Sequence, residues 1–316
     1  MDKDNYVVVI GASNIDIGGT AYKKLIRADS NRGKITLDFG GVGRNIAHNL
    51  ALLGVNVFLI SAVGDDIIGK EIIKHCENAG IRTDHIKIID KCNSSIYIYI
   101  NNCSGDMEIA MSQVDIADNI TPQYLDSLKD VINGAQAVIT DCNITQDSIL
   151  HLKEICKVPL YIDPVSVTHA SKIKGNLKGI QSIKPNILEA EYLSDIKIND
   201  EGDYKKAAKS IIEQGVEKVF ISLGEKGMIA ADKNDIFFTE RYPADVLCTT
   251  GAGDAASAAI LWSDISLGKN DIINESKAAN AAASIAIESD KTINPELSET
   301  AIINRISNNK VSVHKL

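Results

Sequence analysis

No window of the chain approaches the ~20 consecutive apolar residues of a membrane span. The opening stretch MDKDNYVVVIGAS runs into a short apolar strand without the long hydrophobic region of a secretory leader. The expected location is the cytoplasm, with no membrane partner. Positive charge is also in deficit: 33 Lys and Arg stand against 42 Asp and Glu, a net charge of −9 and a pI near 5.2. A long nucleic-acid polymer selects a basic surface, so this balance argues against polymer binding and leaves a nucleoside or nucleotide open, its anion bound locally. The six cysteines (Cys76, Cys92, Cys103, Cys142, Cys156 and Cys248) form no CxxC pair, which fits free thiols in a reducing compartment. Six histidines form no HExxH and no paired spacing for a metal. GxxxxGK[ST] is missing too, so any ATP must be held by something other than a Walker A loop.

What is present is an ordinary globular composition, 45% hydrophobic and 24% charged, over 316 residues. Short β-branched runs at 6–10, 56–61, 137–140, 160–163, 182–184 and 218–222 alternate with helical patterns. The helical patterns follow Arg44-Asn45 and cover 69–79, 203–214, 253–266 and 271–288. This is the pattern of an α/β protein with a doubly wound, mostly parallel sheet. Two segments, 15–39 and 95–111, break the alternation, the second reading as a β-hairpin about Cys103-Ser104-Gly105-Asp106. They are expected to form a small β-lid inserted into a single 1–316 domain, because no linker, low-complexity tract or repeat divides the chain.

The sharpest local signal is Thr249-Thr250-Gly251-Ala252-Gly253-Asp254 before a run of small residues. Its glycines allow close approach of a ligand, and a helix starting here would aim free N–H groups at an anion. Asp254 would then accept a proton from a hydroxyl attacking phosphorus; the alternative is a glycine turn with a capping Asp. In Lys184-Pro185-Asn186-Ile187-Leu188-Glu189, Asn186 and Glu189 fall near a strand's carboxyl end, where Glu189 organises Mg²⁺ through water or Asn186 is an N-cap with Glu189 completing a capping box. Ser222-Leu223-Gly224-Glu225-Lys226-Gly227 would let a nucleotide lie on the main chain, or is a plain hairpin connection. Asn14, Asp16 and Asn45, with the Gly41 turn, offer amide and carboxylate groups suited to sugar hydroxyls; turn or cap roles are the alternatives. Asp163 faces the same crevice or caps a turn, and Arg44 contacts a ligand or lies on the solvated surface.

Taken together, GGVGRN at 40–45, KPNILEAE at 184–191, SLGEKG at 222–227 and TTGAGD at 249–254 resemble, in order and spacing, the ribokinase-like (PfkB) kinases of sugars and nucleosides. The resemblance spans nearly the whole chain and implies an ATP-dependent, Mg²⁺-using phosphotransferase. It implies Asp254 as catalytic base, Gly251, Ala252 and Gly253 as an anion hole, and Asn186 and Glu189 serving phosphate and magnesium. Ser222, Gly224 and Gly227 would border ATP, with Asn280 near adenine, and Asn14, Asp16, Gly41 and Asn45 would grip the sugar. The resemblance also implies a β-lid that pairs two subunits, hence a homodimer. Ribokinases commonly read GGKGAN where this chain has Val42 and Arg44, which turns the reading away from free ribose. GGVGRNIAHNLALLG, DMEIAM, DCNIT and DPVS resemble instead the bacterial pseudouridine kinases, adding Met111, Asn143 and Lys172 to the pocket. The implied reaction is phosphorylation of the pseudouridine 5′-hydroxyl. Another nucleoside or a sugar (adenosine, ribose, fructose) is the alternative substrate, and a non-catalytic nucleotide-binding regulator the alternative of another class. Potassium stays open, since many relatives hold it near an Asp-Thr-Thr and here Cys248 precedes Thr249-Thr250.

Overall fold

The computed structural model describes residues 5–268 and 271–316; residues 1–4 of the opening stretch and 269–270 lie outside them. Its strands are β1 Val7–Ile10, β2 Asn14–Ala21, β3 Gly33–Gly40, β4 Val57–Gly64, β5 Ile86–Ile89, β6 Ser95–Asn101 and β7 Met107–Gln113. They continue as β8 Ala137–Asp141, β9 Leu160–Asp163, β10 Ser182–Ile183, β11 Lys218–Ser222, β12 Gly227–Asp232, β13 Ile236–Glu240 and β14 Val313–Lys315.

Ten of these form one sheet in the order β14-β13-β12-β11-β10-β9-β8-β1-β4-β5. The pairs from β11 to β5 are parallel, and β12, β13 and β14 extend the sheet antiparallel. A parallel strand covered on both faces has no side to give to water, which is why β1 reads VVVI with every residue buried. Its alternate side chains feed two cores: Val7 and Val9 enter one, Val8 and Ile10 the other. Helices Val42–Leu52, Ala252–Ser266 and Ile272–Ala286 cover the first face. Helices Gln146–Ile155, Ile187–Ser194 and Glu201–Glu213 cover the second. The expected mixed α/β class with a mostly parallel sheet is what the chain adopts. Among the described residues no helix is long and apolar enough to cross a membrane.

The Ala252–Ser266 helix is buried along nearly its whole length after the first turn, as its small and apolar composition requires. Ala255, Ala256, Ala258 and Ala259 share one core with Ala278, Ala279, Ala281 and Ala282 of the Ile272–Ala286 helix.

The two segments that interrupt the alternation make a separate four-stranded sheet, ordered β3-β2-β6-β7. β2 pairs antiparallel with β3 and parallel with β6, and the β6–β7 hairpin closes through Asn102, whose Oδ1 accepts from the N–H groups of Ser104 and Asp106. β2 starts just after β1 ends and β3 runs directly into the Val42–Leu52 helix, so the small sheet stands at the carboxyl end of β1.

Candidate active site

Asp141, at the carboxyl end of β8, is fully buried and pins the entrance of the site. Its Oδ2 accepts from Ala12 N at 3.0 Å and Gly43 N at 2.7 Å, and its Oδ1 from Asn143 N at 2.9 Å. A Cβ on Gly11 would lie 2.5 Å from that carboxylate, and one on Gly41, at φ +94°, would lie 2.4 Å from Ala12 O. The glycines therefore let the exit of β1 and the start of the helix close on one carboxylate. The helix begins at Val42 with Gly41 as its cap, so Asn45 is a first-turn residue rather than a cap, and it projects toward the cleft.

There Asn45 Nδ2 donates to Asp254 Oδ2 at 2.7 Å. Asp254 sits on the first turn of the Ala252–Ser266 helix, whose cap Gly251 holds φ +84° with Thr292 O packed against it. First-turn N–H groups have no partner inside their own helix, so an anion in the cleft meets donors and the positive end of the dipole. Asp254 opens partly to the cleft while protein surrounds its carboxylate. Burial, then the charge of Asp163, raise its pKa to about 7 against the opposing pull of Asn45, Lys184 and Arg44.

Asp163 closes the same group from β9. Its Oδ2 accepts from Ser257 Oγ at 2.6 Å and lies 3.4 Å from Lys184 Nζ, while its Oδ1 accepts from Val165 N, so it both faces the crevice and caps a turn. Lys184 Nζ is also 3.6 Å from the point that a Cβ on Gly253 would occupy. Burial works against the charge on Lys184, yet Asp163, Glu189 and Asp254 outweigh it and hold the ammonium above its usual pKa. Lys184 and Asp141 did not stand out in the sequence as site residues, although both lie inside motifs, KPN and DCN, that did.

Asn186 and Glu189 form a full capping box on the Ile187–Ser194 helix. Glu189 Oε2 accepts from Asn186 N at 2.9 Å and Oε1 from Asn186 Nδ2 at 2.6 Å. Each oxygen keeps further lone-pair capacity. The lone pairs left over suit the water shell of a magnesium ion.

On the other side of Gly253 lies a cavity of about 380 Å³ lined by Ser222, Gly224, Gly227, Gly253, Ala256 and Asn280, among others. Ser222–Gly227 is indeed a hairpin connection, between β11 and β12, and it walls this cavity as well. Asn280 is buried, its Nδ2 donating to Thr239 O. At the sugar end, Asn14 Nδ2 donates to Asp16 Oδ1 at 2.5 Å, and burial raises Asp16 against that bond.

Three further expected pocket residues stand as follows. All three N–H bonds of Lys172 go to the carbonyls of Cys142, Asn143 and Ile144, so its charge holds the loop after β8. Asn143 is half-buried on that loop. Met111 is 72% exposed on the edge strand β7, opposite Ile98. Arg44, expected either at a ligand or on the solvated surface, is only 1% exposed.

An acid on the first turn of a helix whose N–H groups face the cleft, beside a cavity walled by glycines, describes a phosphotransferase acting on small hydroxylated molecules. The chain belongs to the pfkB family of carbohydrate kinases, whose family model matches residues 4–300. It is 35% identical over 312 residues to a pseudouridine kinase of Escherichia coli K12, covering 98% of each chain. A guanosine-inosine kinase of Exiguobacterium acetylicum is 28% identical, covering 81% of this chain and 86% of its own. A solved carbohydrate kinase from Agrobacterium tumefaciens shares the fold with a TM-score of 0.84 at 23% identity, covering 98% of this chain and 100% of that one.

Proposed function

We propose that this kinase transfers the γ-phosphoryl group of ATP to the 5′-hydroxyl of pseudouridine, giving pseudouridine 5′-phosphate and ADP. The reading is carried by the Asn45–Asp254 pair at the helix start, together with full-length similarity to a pseudouridine kinase. Asp254 takes the hydroxyl proton as oxygen attacks phosphorus in line. The N–H groups of Gly251 to Gly253 and the Lys184 ammonium face the charge that develops on the transferring group. ATP occupies the cavity between Gly224, Gly227 and Asn280, and Asn14, Asp16, Gly41 and Asn45 hold the ribose. Magnesium, held through water by Asn186 and Glu189, would supply charge neutralisation on the phosphates.

A homodimer through the outer face of the small sheet is part of the proposal. Ile98 and Ile100 of β6 pair with Met111 and Ile109 of β7, and Ile35 and Leu37 of β3 continue the stripe. All six are exposed, and a continuous apolar sheet face of this kind marks an interaction surface. Work in the cytoplasm accords with the free cysteines.

The test is ADP release with ATP and Mg²⁺ and, in parallel, pseudouridine, uridine, adenosine, inosine, ribose and fructose. Preference for pseudouridine over uridine, which share the ribose and differ in the base linkage, is expected. The guanosine-inosine kinase relative favours a purine nucleoside as the second reading, and turnover of inosine alone would establish it. Binding of nucleotide without any turnover would overturn the catalytic reading. Sodium and potassium buffers run side by side decide whether a monovalent cation acts near Cys248.

A further inference from the structure

Arg44 is among the largest fully buried side chains, and its guanidinium is spent entirely inside the protein. Its Nε donates to Gly40 O at 3.2 Å, Nη2 donates to Phe39 O and to Asn45 Oδ1, and Nη1 lies 3.4 Å from His48 Nδ1. The arrangement leaves Asn45 between two groups of opposite hydrogen-bonding character. A guanidinium only donates and an ionised carboxylate only accepts, so the amide satisfies both in one orientation: oxygen toward Arg44, N–H toward Asp254. The flipped amide would set N–H against N–H on one side and oxygen against oxygen on the other.

We propose that Arg44 is a positioning residue for the phosphoryl transfer: by holding Asn45 Oδ1 it keeps the Asn45 N–H aimed at Asp254, and so orients the base. The inference rests on the reading of Asp254 as the base. With only 1% of Arg44 exposed, it acts through its neighbour. Of the titratable groups around the relay, Asp163 and Lys184 face Asp254, while Asp16, Asp38, His48, His75 and Cys76 surround Arg44. Both histidines are held to about 4, by burial first and then by Arg44, so they are neutral while Arg44, itself lowered by burial to about 10, stays charged at neutral pH. One fixed charge therefore feeds the relay through the whole working range.

A double-mutant cycle of Arg44→Met, Asn45→Ala and both together, read as kcat and as the pH profile of kcat/KM, tests this. Arg44→Met is expected to lower kcat by ~10-fold or more and to move the acidic limb upward by about one pH unit. Asn45→Ala should do the same, and the double variant should be no worse than Asn45→Ala alone. Additive losses with an unmoved limb would mean that Arg44 only braces the Phe39 and Gly40 carbonyls, and would overturn the proposal. Should Arg44→Met fail to fold, Arg44→Lys keeps the charge without the planar fork. A displaced limb at near-parental Tm is then expected, and a parental limb and kcat would be equally fatal. Retained activity in Asp254→Asn would instead remove the base assignment, a result separate from either outcome of the cycle.

Discussion

Asn45 donates to Asp254 across 2.7 Å although 209 residues separate them in the chain. The bond ties the glycine turn after β3 to the one before the Ala252–Ser266 helix, and it opposes the burial that raises Asp254 to about 7. A base must be ionised to take a proton, so kcat/KM should fall tenfold per pH unit below about 7 and level off above it. Asp254→Asn should lower kcat by ~10²- to 10⁴-fold with nucleotide affinity by calorimetry close to the parent's. A flat profile down to pH ~5 would remove Asp254 as the titrating base.

The same shift has a stability consequence of opposite sense. The folded protein holds this proton more tightly than the unfolded chain, whose Asp titrates near 3.8. The stability Asp254 contributes is therefore complete below 3.8 and lost as pH rises through about 7. Asp254→Asn should melt above the parent at alkaline pH, with the gap closing as the buffer approaches pH ~4. A gap that stays constant across this range would contradict the raised pKa.

Lys184 is the cation that lets Asp163, Glu189 and Asp254 share one site. Removing it from Asp163, 3.4 Å away and 5% exposed, leaves an uncompensated buried charge, a change that costs about 3–5 kcal/mol. Lys184→Met should lower Tm and, on the proposed mechanism, reduce kcat by ~10²- to 10³-fold, because charge on the transferring group loses the Lys184 ammonium. It should also push the acidic limb of kcat/KM upward, since Lys184 is one of the groups pulling Asp254 down. Adding Asp163→Asn should recover part of the lost Tm and little of the lost kcat. Recovery of both together would make Lys184 purely structural.

The parallel strands were legible in the sequence because burial on both faces leaves apolar runs such as VVVI and VFLISAVG with sharp polar borders. The Gly251–Asp254 turn was legible because φ +84° against a neighbouring carbonyl leaves only glycine. The roles of Arg44, Asp141 and Lys184 were not, for each depends on which distant segment folds against it. Arg44 is buried only because β3 supplies two carbonyls. Asp141 matters because Ala12 and Gly43, from two other segments, converge on it. For Asn186 and Glu189 the capping box is what the structure shows, and it leaves lone pairs on the carboxylate for the proposed magnesium role. β14, three residues long, exists only as a pairing with β13 and carries no pattern of its own.

Gly251 and Gly54 separate backbone cost from contact cost. Both have positive φ, +84° and +79°, but a Cβ on Gly251 would lie 2.0 Å from Thr292 O, whereas one on Gly54 meets nothing within 4 Å. Gly54→Ala should cost only the left-handed backbone penalty, about 1–2 kcal/mol, with kcat unchanged. Gly251→Ala must displace the Thr292 loop or the helix start, so it should lose more stability and nearly all activity. Thermal denaturation with the ADP assay reads both, and equal losses in the two variants would deny the Thr292 contact any part in forming the site.

The outer face of the small sheet yields the last prediction. Ile98, Ile100, Ile109 and Met111 are 43%, 40%, 60% and 72% exposed and adjacent on paired strands. If a second copy covers them, the parent should sediment at twice its 34.1 kDa chain mass. Ile98→Lys with Ile109→Lys should then sediment as a single chain with an unchanged far-UV spectrum, because two buried ammonium groups without partners cannot be accommodated at such an interface. Ile67→Lys, at an exposed residue outside the small sheet, is the control and should leave the mass alone. A parent that sediments as one chain at assay concentration would refute the pairing directly. A dimer indifferent to both lysines would move it to another surface, and with it the reason this sheet presents so much apolar area to water.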